Sequence, residues 1–385
     1  MNVLLIHNYY KHRGGEDAVF ENEAKALTEA GHDVIIYSKN NNEIDSYTFF
    51  KKIIFFFFMI YNRKSERELR KIIKNNKIDI AHIHNVFPLI SMSAYRILKK
   101  SKIKIVQTLH NYRFLCPNGL FYHDNKNCVA CAKGNFCHCV FRKCYKNSYI
   151  LSFFYSFIIK KNQKLFKNYI DAYIALTEFT KDIFIKCGYP KEKFYVKDNG
   201  YIDNGLKRNK SAGYFLFLGR ISMEKGIDFL LDSFKKMPQY KLIVAGVGDN
   251  LEKYKKMYNF NNIEFAGFVD GEKKKMLIEG TEALLVPSIW YENYPISIIE
   301  AFCAGIPVIS ARIGGIPYII EDGKNGFLFD PANFDGLRKA LDKMKNNSKL
   351  RNEAGDRARK TYNERMDMKN NINRLIKIYE EIDAK

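Results

Sequence analysis

Two short apolar runs bracket a single helix in the stretch Glu282–Ile313, EALLVPSIWYENYPISIIEAFCAGIPVISARI, and no other feature constrains the fold so tightly. Ala283–Val286 reads as a strand that Pro287 and Ser288 end. A loop over Ile289–Asn293 holds the only tryptophan, Trp290. The pattern predicts a helix from about Tyr294 to Ala304, with Pro295 in the first turn, where a missing N–H costs nothing. Gly305 closes the helix, and Ile306–Ser310 is a second strand. Runs apolar throughout are buried on both faces, which means parallel strands in a βαβ unit. Ligands of such sheets sit at the carboxyl ends of strands and the amino ends of helices. Glu292 precedes the helix and Glu300 lies within it, seven residues intervening, two turns along the same side. A carboxylate among Ile298, Ile299, Ala301 and Phe302 needs a partner. The plainest reading is a helix cap at Glu292 and an ion pair at Glu300.

A second unit of this kind opens at Tyr214–Leu218, followed by Gly219-Arg220-Ile221-Ser222-Met223-Glu224-Lys225-Gly226. Strand, turn and helix start fall in order. A helix amino end with Arg and Lys suits a diphosphate, because the dipole and the orphan N–H groups favour negative charge. Arg supplies a planar fork of donors and Lys a mobile point charge. Two exposed cations on a basic protein are the alternative. Further strands are expected at Leu242–Ala245 and Ile263–Phe265, the first closed by Gly246 and the second followed by Gly267, Phe268 and Val269.

Taken together, Glu292-x7-Glu300 and Gly219-Arg220-x4-Lys225-Gly226 resemble the retaining GT-B glycosyltransferases of family 4, whose second pattern is Gly-Arg-x5-Lys-Gly. The resemblance implies an α/β GT-B fold, two Rossmann-like domains facing a central cleft. Residues 1–204 would bind acceptor and 205–385 the donor, with the last helix crossing back to the first domain. By resemblance, Glu292 contacts the donor sugar and Glu300 takes the ribose hydroxyls. Asn293, Tyr294, Pro295 and Ile296 join the donor site, although many relatives read Ser/Gly-Phe-Gly after the first Glu, which leaves the hydroxyl configuration of the donor open. Arg220 and Lys225 hold the diphosphate beside Gly219 and Gly246, Phe268-Val269 lies at the base, and Ile313-Gly314-Gly315-Ile316-Pro317 resembles the glycine turn beneath the phosphates. In the first domain Thr108-Leu109-His110-Asn111 resembles Thr-x-His-Asp/Asn, whose His approaches the donor sugar. Gly14 and Gly15 match a glycine loop near the phosphates, which a tight turn explains almost as well. The implied catalytic set is His110, Arg220, Lys225 and Glu292.

No Asp-x-Asp occurs in the chain, so a nucleotide–metal site of the GT-A kind is unsupported, and no cofactor is expected for catalysis. The leaving diphosphate is expected to be stabilised by Arg220, Lys225 and the helix dipole. Same-face attack by an acceptor hydroxyl is favoured, with a diphosphate oxygen taking its proton. A two-step route through an enzyme carboxylate is the rival. The partners implied are a nucleoside diphosphate sugar, UDP- or GDP-linked, and a glycan or lipid-linked acceptor of envelope polysaccharide or lipopolysaccharide.

The net charge of +21 calls for an anionic partner. Asn125–Ile170 has no acidic residue but nine cations, and YILSFFYSFII lies in its middle. A basic stretch around an aromatic core is what an anionic membrane surface attracts. Phe49–Tyr61, FFKKIIFFFFMIY, is a second apolar run, too short to span a bilayer. The chain starts directly with a strand, so a cytoplasmic protein, peripheral on the inner face of the membrane, is expected. Nucleic acid is disfavoured, since no helix-turn-helix, RNP or zinc-finger pattern accompanies the charge. Five of the eight cysteines crowd between Cys128 and Cys144. In a cytosolic chain such crowding means metal more often than disulfide. Cys128, Cys131 and Cys144 are candidate structural zinc ligands, with one of Cys116, Cys137, His138 or Cys139 as the fourth; reduced, metal-free thiols are the alternative. Two other classes fit parts of the chain: a non-catalytic nucleotide-sugar-binding scaffold, against which the intact motifs argue, and an RNA-binding protein using the basic cysteine-rich segment.

Overall fold

A computed structural model of the chain describes residues 1–11, 13–48, 55 and 57–384. The chain divides into two compact units, the first formed by residues 1–121, 128–200 and 368–385, the second by 122–127 and 201–367.

The first unit is built on six parallel strands: β1 (Asn2–Tyr9), β2 (Asp33–Asn40), β3 (Ile80–Ile83), β4 (Lys104–Leu109), β5 (Ala172–Ala175) and β6 (Phe194–Val196), in the order β2-β1-β3-β4-β5-β6. Val3–Ile6 and Ile105–Val106 are fully buried, as expected of interior strands covered on both faces. After β1 the helix Gly15–Glu29 begins at Gly14, whose N–H donates to the Asp17 carboxylate at 2.9 Å. That bond satisfies one orphan amide and places an acid at the positive end of the helix. The helix Tyr149–Tyr169 is capped by Ser148, with Leu151 N donating to its Oγ at 3.3 Å. It buries Tyr155, Ile158, Ile159, Leu165 and Phe166 and leaves Tyr149, Ile150, Phe153 and Phe157 exposed. No helix among the described residues is long and apolar enough to cross a membrane. Of the run Phe49–Tyr61, residues 49–54 and 56 lie outside the described residues.

The second unit repeats the plan with β7 (Tyr214–Leu218), β8 (Lys241–Ala245), β9 (Ile263–Gly267), β10 (Leu284–Val286), β11 (Val308–Ala311) and β12 (Gly326–Phe329), all parallel, in the order β9-β8-β7-β10-β11-β12.

The division between units falls after Gly200 rather than after residue 204. Local bonding explains the difference. Tyr201 N donates to Met366 O at 2.9 Å and Asp203 pairs with Arg359 at 2.6 Å, which ties 201–203 into the second unit. The terminal helix Met368–Asp383 groups with the first unit, where Asn371 Nδ2 donates to Asp198 O at 2.7 Å. The short hairpin Tyr122–Asn127, which the sequence places within the cysteine-rich insert, groups with the second unit; Asn127 Nδ2 donates to Ile289 O at 3.0 Å.

Candidate functional site

In the second unit, three loops at the carboxyl ends of β7, β8 and β10 are laced together by main-chain bonds. Gly219 N donates to Ala245 O at 3.0 Å, Ile221 N to Val247 O at 2.8 Å and Ile289 N to Glu224 O at 3.0 Å. The approach leaves no room for side chains at two positions. A Cβ on Gly246 would stand 1.8 Å from Gly219 O, and one on Gly226, at φ 74°, would stand 2.0 Å from Pro287 O. Glycine is required at both.

Glu292 sits in the middle of this lacing. It is 3% exposed, and its Oε1 receives Lys225 Nζ at 2.6 Å and Ser288 Oγ at 2.7 Å. Its backbone carbonyl accepts from Gly315 N at 2.7 Å, and Gly314, at φ 59°, passes so close that a Cβ would meet that carbonyl at 2.5 Å. Lys225 also lies 5.4 Å from the centre of the Trp290 ring, a cation–π distance. A fixed carboxylate and a cation that shares it are thus held together at the strand ends. Arg220 points elsewhere: its side chain is 59% exposed and pairs with Glu224 at 2.5 Å, and Ser222 Oγ donates to the same carboxylate at 2.7 Å.

The helix after this loop runs Ile296–Cys303, with Pro295 as its cap in extended conformation, so it starts two residues later than the sequence pattern predicts. Asn293, Tyr294 and Pro295 are buried in the approach, and Ile296 opens the helix half-buried. Glu300 is 5% exposed inside the helix and holds the Lys274 ammonium. Burial pushes its carboxyl above the usual range, while Lys274 and a hydrogen bond from Tyr201 act in the opposite sense. Phe268 is exposed to 69%, whereas Val269 is buried.

In the first unit, His110 follows β4 and lines a cavity with His84, Gln107, Thr108 and Arg113. Its Nε2 meets His84 Nδ1 at 2.9 Å, and burial lowers its pKa well below the ordinary histidine value. A Cβ on Gly14 would meet nothing within 4 Å, and Gly15 begins the helix that follows. Next to them Glu16 accepts from Tyr10 OH at 3.1 Å and from Asn111 Nδ2 at 3.3 Å, and burial pushes its carboxyl up to about 7.

The sequence pattern misses Lys274, Ser288, Tyr201 and Glu16. Lys274 and Tyr201 reach Glu300 only through the fold; no local motif marks Lys274, and Tyr201 lies in Asn199-Gly200-Tyr201-Ile202-Asp203, which resembles the family's Asn-Gly-Val-Asp without marking the tyrosine as a partner of Glu300. Ser288, four residues from Glu292, is marked in the sequence only as a strand stop.

The cysteine-rich segment lies in the first unit apart from residues 122–127. Among the described residues, Cys128, Cys131 and Cys144 are not gathered as a metal-ligating group. Cys128 Sγ instead accepts from Arg142 Nη1 at 3.3 Å, and Cys131 is buried. The close thiol pair is Cys139 with Cys144, because Cys144 N folds back onto Cys139 O at 3.0 Å; the Cys144 hydrogen bond holds the Cys139 thiol down at about 7. Cys131 and Cys144 also lie near enough to Cys116 for their thiols to raise one another's pKa. Among the described residues, Glu23, His82 and His84 each bring one polar atom within 4.8 Å of the others, an arrangement whose partners are already supplied by the protein. Lys197 already balances its charge, with Nζ 2.8 Å from Glu23, and His82 spends both ring nitrogens on Tyr379 OH at 2.6 Å and Thr108 Oγ1 at 2.7 Å.

Comparison with known proteins gives the family and the fold. Residues 201–361 match the family described as Glycosyl transferases group 1, and residues 13–203 match Glycosyltransferase Family 4. A Klebsiella pneumoniae relative, named as an uncharacterized 41.2 kDa protein in the cps region, is 24% identical, covering 98% of this chain and 99% of its own. A glycosyltransferase of Methanocaldococcus jannaschii is 26% identical, covering 99% of each chain. The crystal structure of Anabaena HepE in complex with UDP superposes with a TM-score of 0.69 at 16% identity, over 100% of both chains. The chain belongs to the group 1 glycosyltransferases and has their GT-B fold.

Proposed function

We propose that this chain transfers a sugar, with retention and without a metal ion, from a nucleoside diphosphate sugar to a hydroxyl of a lipid-linked glycan. The observation that carries the reading is the buried Glu292 carboxylate sharing its Oε1 with Lys225 at 2.6 Å, at the strand ends where a phosphate would lie. UDP is the first candidate nucleotide, supported by the UDP complex of HepE. Glu300 takes the ribose diol through two acceptor oxygens, and Phe268 offers its exposed ring to the base. Lys225 and Arg220, each now held by a neighbouring carboxylate, turn to the diphosphate when donor enters.

The sugar–phosphate C–O bond then breaks as the acceptor oxygen attacks the same face. The acceptor proton passes to the departing phosphate oxygen, and the two cations carry the charge that develops there. His110 binds a sugar hydroxyl, and the glycine loop at Gly14 and Gly15 approaches the substrates. The acceptor is read as an envelope polysaccharide precursor, which the cps-region relative supports. The chain would meet it as a peripheral protein on the inner face of the cytoplasmic membrane. Support for that surface comes from exposed Phe141, Tyr149, Ile150, Phe153 and Phe157, with Lys143 over the Tyr149 ring and Lys161 over Phe157.

The test is to incubate the purified protein with a panel of UDP- and GDP-sugars, membrane extract and EDTA. Diphosphate release and the anomeric configuration of the product are then followed. Release with an α-linked donor giving an α-linked product supports the reading. No release with any donor, or an inverted product, counts against it.

A further inference from the structure

The buried group around Glu23 in the first unit is not explained by donor binding. Four titratable side chains follow one another there. Lys197 Nζ lies 2.8 Å from Glu23 Oε1, Glu23 Oε2 lies 3.3 Å from His84 Nε2, and His84 Nδ1 lies 2.9 Å from His110 Nε2. Glu23 is 1% exposed and His84 4% exposed. Lys197 is fixed in turn by Asn371 Oδ1 at 2.7 Å and by the Asp198 carbonyl at 3.2 Å.

Proton counting along this chain favours one arrangement. Burial alone would raise the Glu23 carboxyl, but Lys197 and the His84 hydrogen bond outweigh it and hold the group well below the usual carboxylate range. Glu23 is therefore ionised and can only accept. The His84 nitrogen facing it, Nε2, must carry a proton. Burial lowers the pKa of His84, so the ring is neutral and its Nδ1 is a bare acceptor. The proton in the contact between the two rings then belongs to His110 Nε2. His110 is neutral too, which leaves its Nδ1 without a proton. Among the described residues no group donates to that nitrogen, and the ring is half-buried rather than sealed.

We propose that Glu23 and His84 are positioning residues that hold His110 as its Nε2–H tautomer, so that Nδ1 presents a lone pair to a substrate hydroxyl. The tautomer follows from the order of contacts together with the neutrality that burial imposes on both rings; its use on a hydroxyl rests on the assignment of His110 to the sugar made above. A His110 free to choose its tautomer would offer a donor part of the time, and a hydroxyl that must donate would then lose its partner. The arrangement resembles any buried carboxylate that sets a histidine, with a second ring inserted between them.

The experiment uses the full chain labelled with 15N-histidine, its ring nitrogens read by NMR at neutral pH. The His110 signals are identified by their loss in His110→Gln. The expected result is a protonated Nε2 and a bare Nδ1 in the parent, and a mixture of tautomers in His84→Phe, which keeps a ring of similar shape. Transfer by His84→Phe should fall about tenfold in kcat with little change in the KM for donor. The parent measurement stands even if His84→Phe folds poorly. A parent His110 protonated at Nδ1, or at both nitrogens, overturns the proposal while leaving the donor site untouched. The expected tautomer combined with full activity of His110→Gln overturns the substrate role, and with it the sugar assignment of His110.

Discussion

Lys225 and Glu292 form an ion pair of 2.6 Å in which the carboxylate is nearly sealed from solvent and the ammonium is not: their side chains are 4% exposed for the acid and 24% for the base. The cation is the mobile partner. It can swing to a phosphate, whereas Glu292 is fixed by Ser288 Oγ and by the glycine turn at Gly314 and Gly315. Lys225→Ala should therefore remove a charge from the leaving group and also leave a buried carboxylate with one neutral donor. Loss of one such stabilising group costs about 10²–10³ in kcat. Steady-state kinetics with the best donor check this. A Lys225→Ala enzyme at the parent rate would exclude a diphosphate role.

With Glu300 as the proposed ribose ligand, donor affinity should depend on pH. Burial raises its pKa, and Lys274 only partly offsets that. A carboxyl with a raised folded-state pKa is favoured protonated, so its effect on folding stability is best at low pH and declines as pH rises through the window above the ordinary Glu value. The proposed ribose binding should run the other way, because the ionised form offers both oxygens as acceptors to the two hydroxyls. UDP affinity should thus strengthen as pH rises through that window, and Glu300→Gln should be flat across it and weaker by about 1.5–3 kcal/mol at neutral pH. Isothermal titration from acid to neutral pH measures both.

Two glycine substitutions separate lacing from ligand approach. Gly226→Ala sets a Cβ 2.0 Å from Pro287 O at a positive φ, so the loop carrying Lys225 must shift. Its thermal midpoint and UDP affinity should both drop. Gly14→Ala meets no atom within 4 Å at φ −117°, and the midpoint should hold. If substrate approaches that loop, Gly14→Ala lowers transfer alone. Melting curves beside kinetics distinguish the two.

Lys197 and Glu23 are both 1% exposed, and removing one partner strands the other. Lys197→Met should cost about 3–5 kcal/mol of stability, read by urea unfolding. In the parent, the depressed Glu23 pKa contributes stability that is present above the ordinary Glu value and lost as pH falls through the folded one. That acid-side loss should shrink in Lys197→Met.

Much of this is legible in the sequence, for physical reasons that differ by element. Strands such as Val3–Ile6 and Leu284–Val286 are covered on both faces, so their apolar runs are continuous and hard to mistake. The helix after Glu292 starts two residues later than its pattern because Pro295 caps it instead of entering it, and a residue before proline avoids helical conformation. Glu300 stands out because a charge inside an apolar helix face needs a partner. The partner, Lys274, is 26 positions away on another helix and carries no signal of its own. His84 directly follows β3 in His82-Ile83-His84, where the family pattern gives neither histidine a role; only the three-dimensional chain from Glu23 to His110 gives it one. Cysteine spacing sets only reach along the chain, and the pairing of Cys139 with Cys144 comes from the turn at residues 139–144.

The exposed side of the helix Tyr149–Tyr169 yields the last prediction. Phe153 and Phe157 are 54% and 43% exposed and stack on one another at 6.5 Å, beside Tyr149 and Ile150 at 54% and 66%. Lys160, Lys161 and Lys164 follow on the same helix, and Lys143 and Lys146 precede it. An apolar patch rimmed by cations fits the boundary of an anionic bilayer, with each cation near the surface contributing about 1 kcal/mol and the attraction screened over a Debye length. The protein should cosediment with vesicles containing phosphatidylglycerol and not with neutral ones, and added salt should release it. Phe153→Ser with Phe157→Ser changes two side chains that already face water, so folding should be spared. Sedimentation and activity on lipid-linked acceptor should both drop, while hydrolysis of the donor continues at the parent rate. If the parent ignores anionic vesicles at low salt, the patch serves another purpose and the acceptor is soluble.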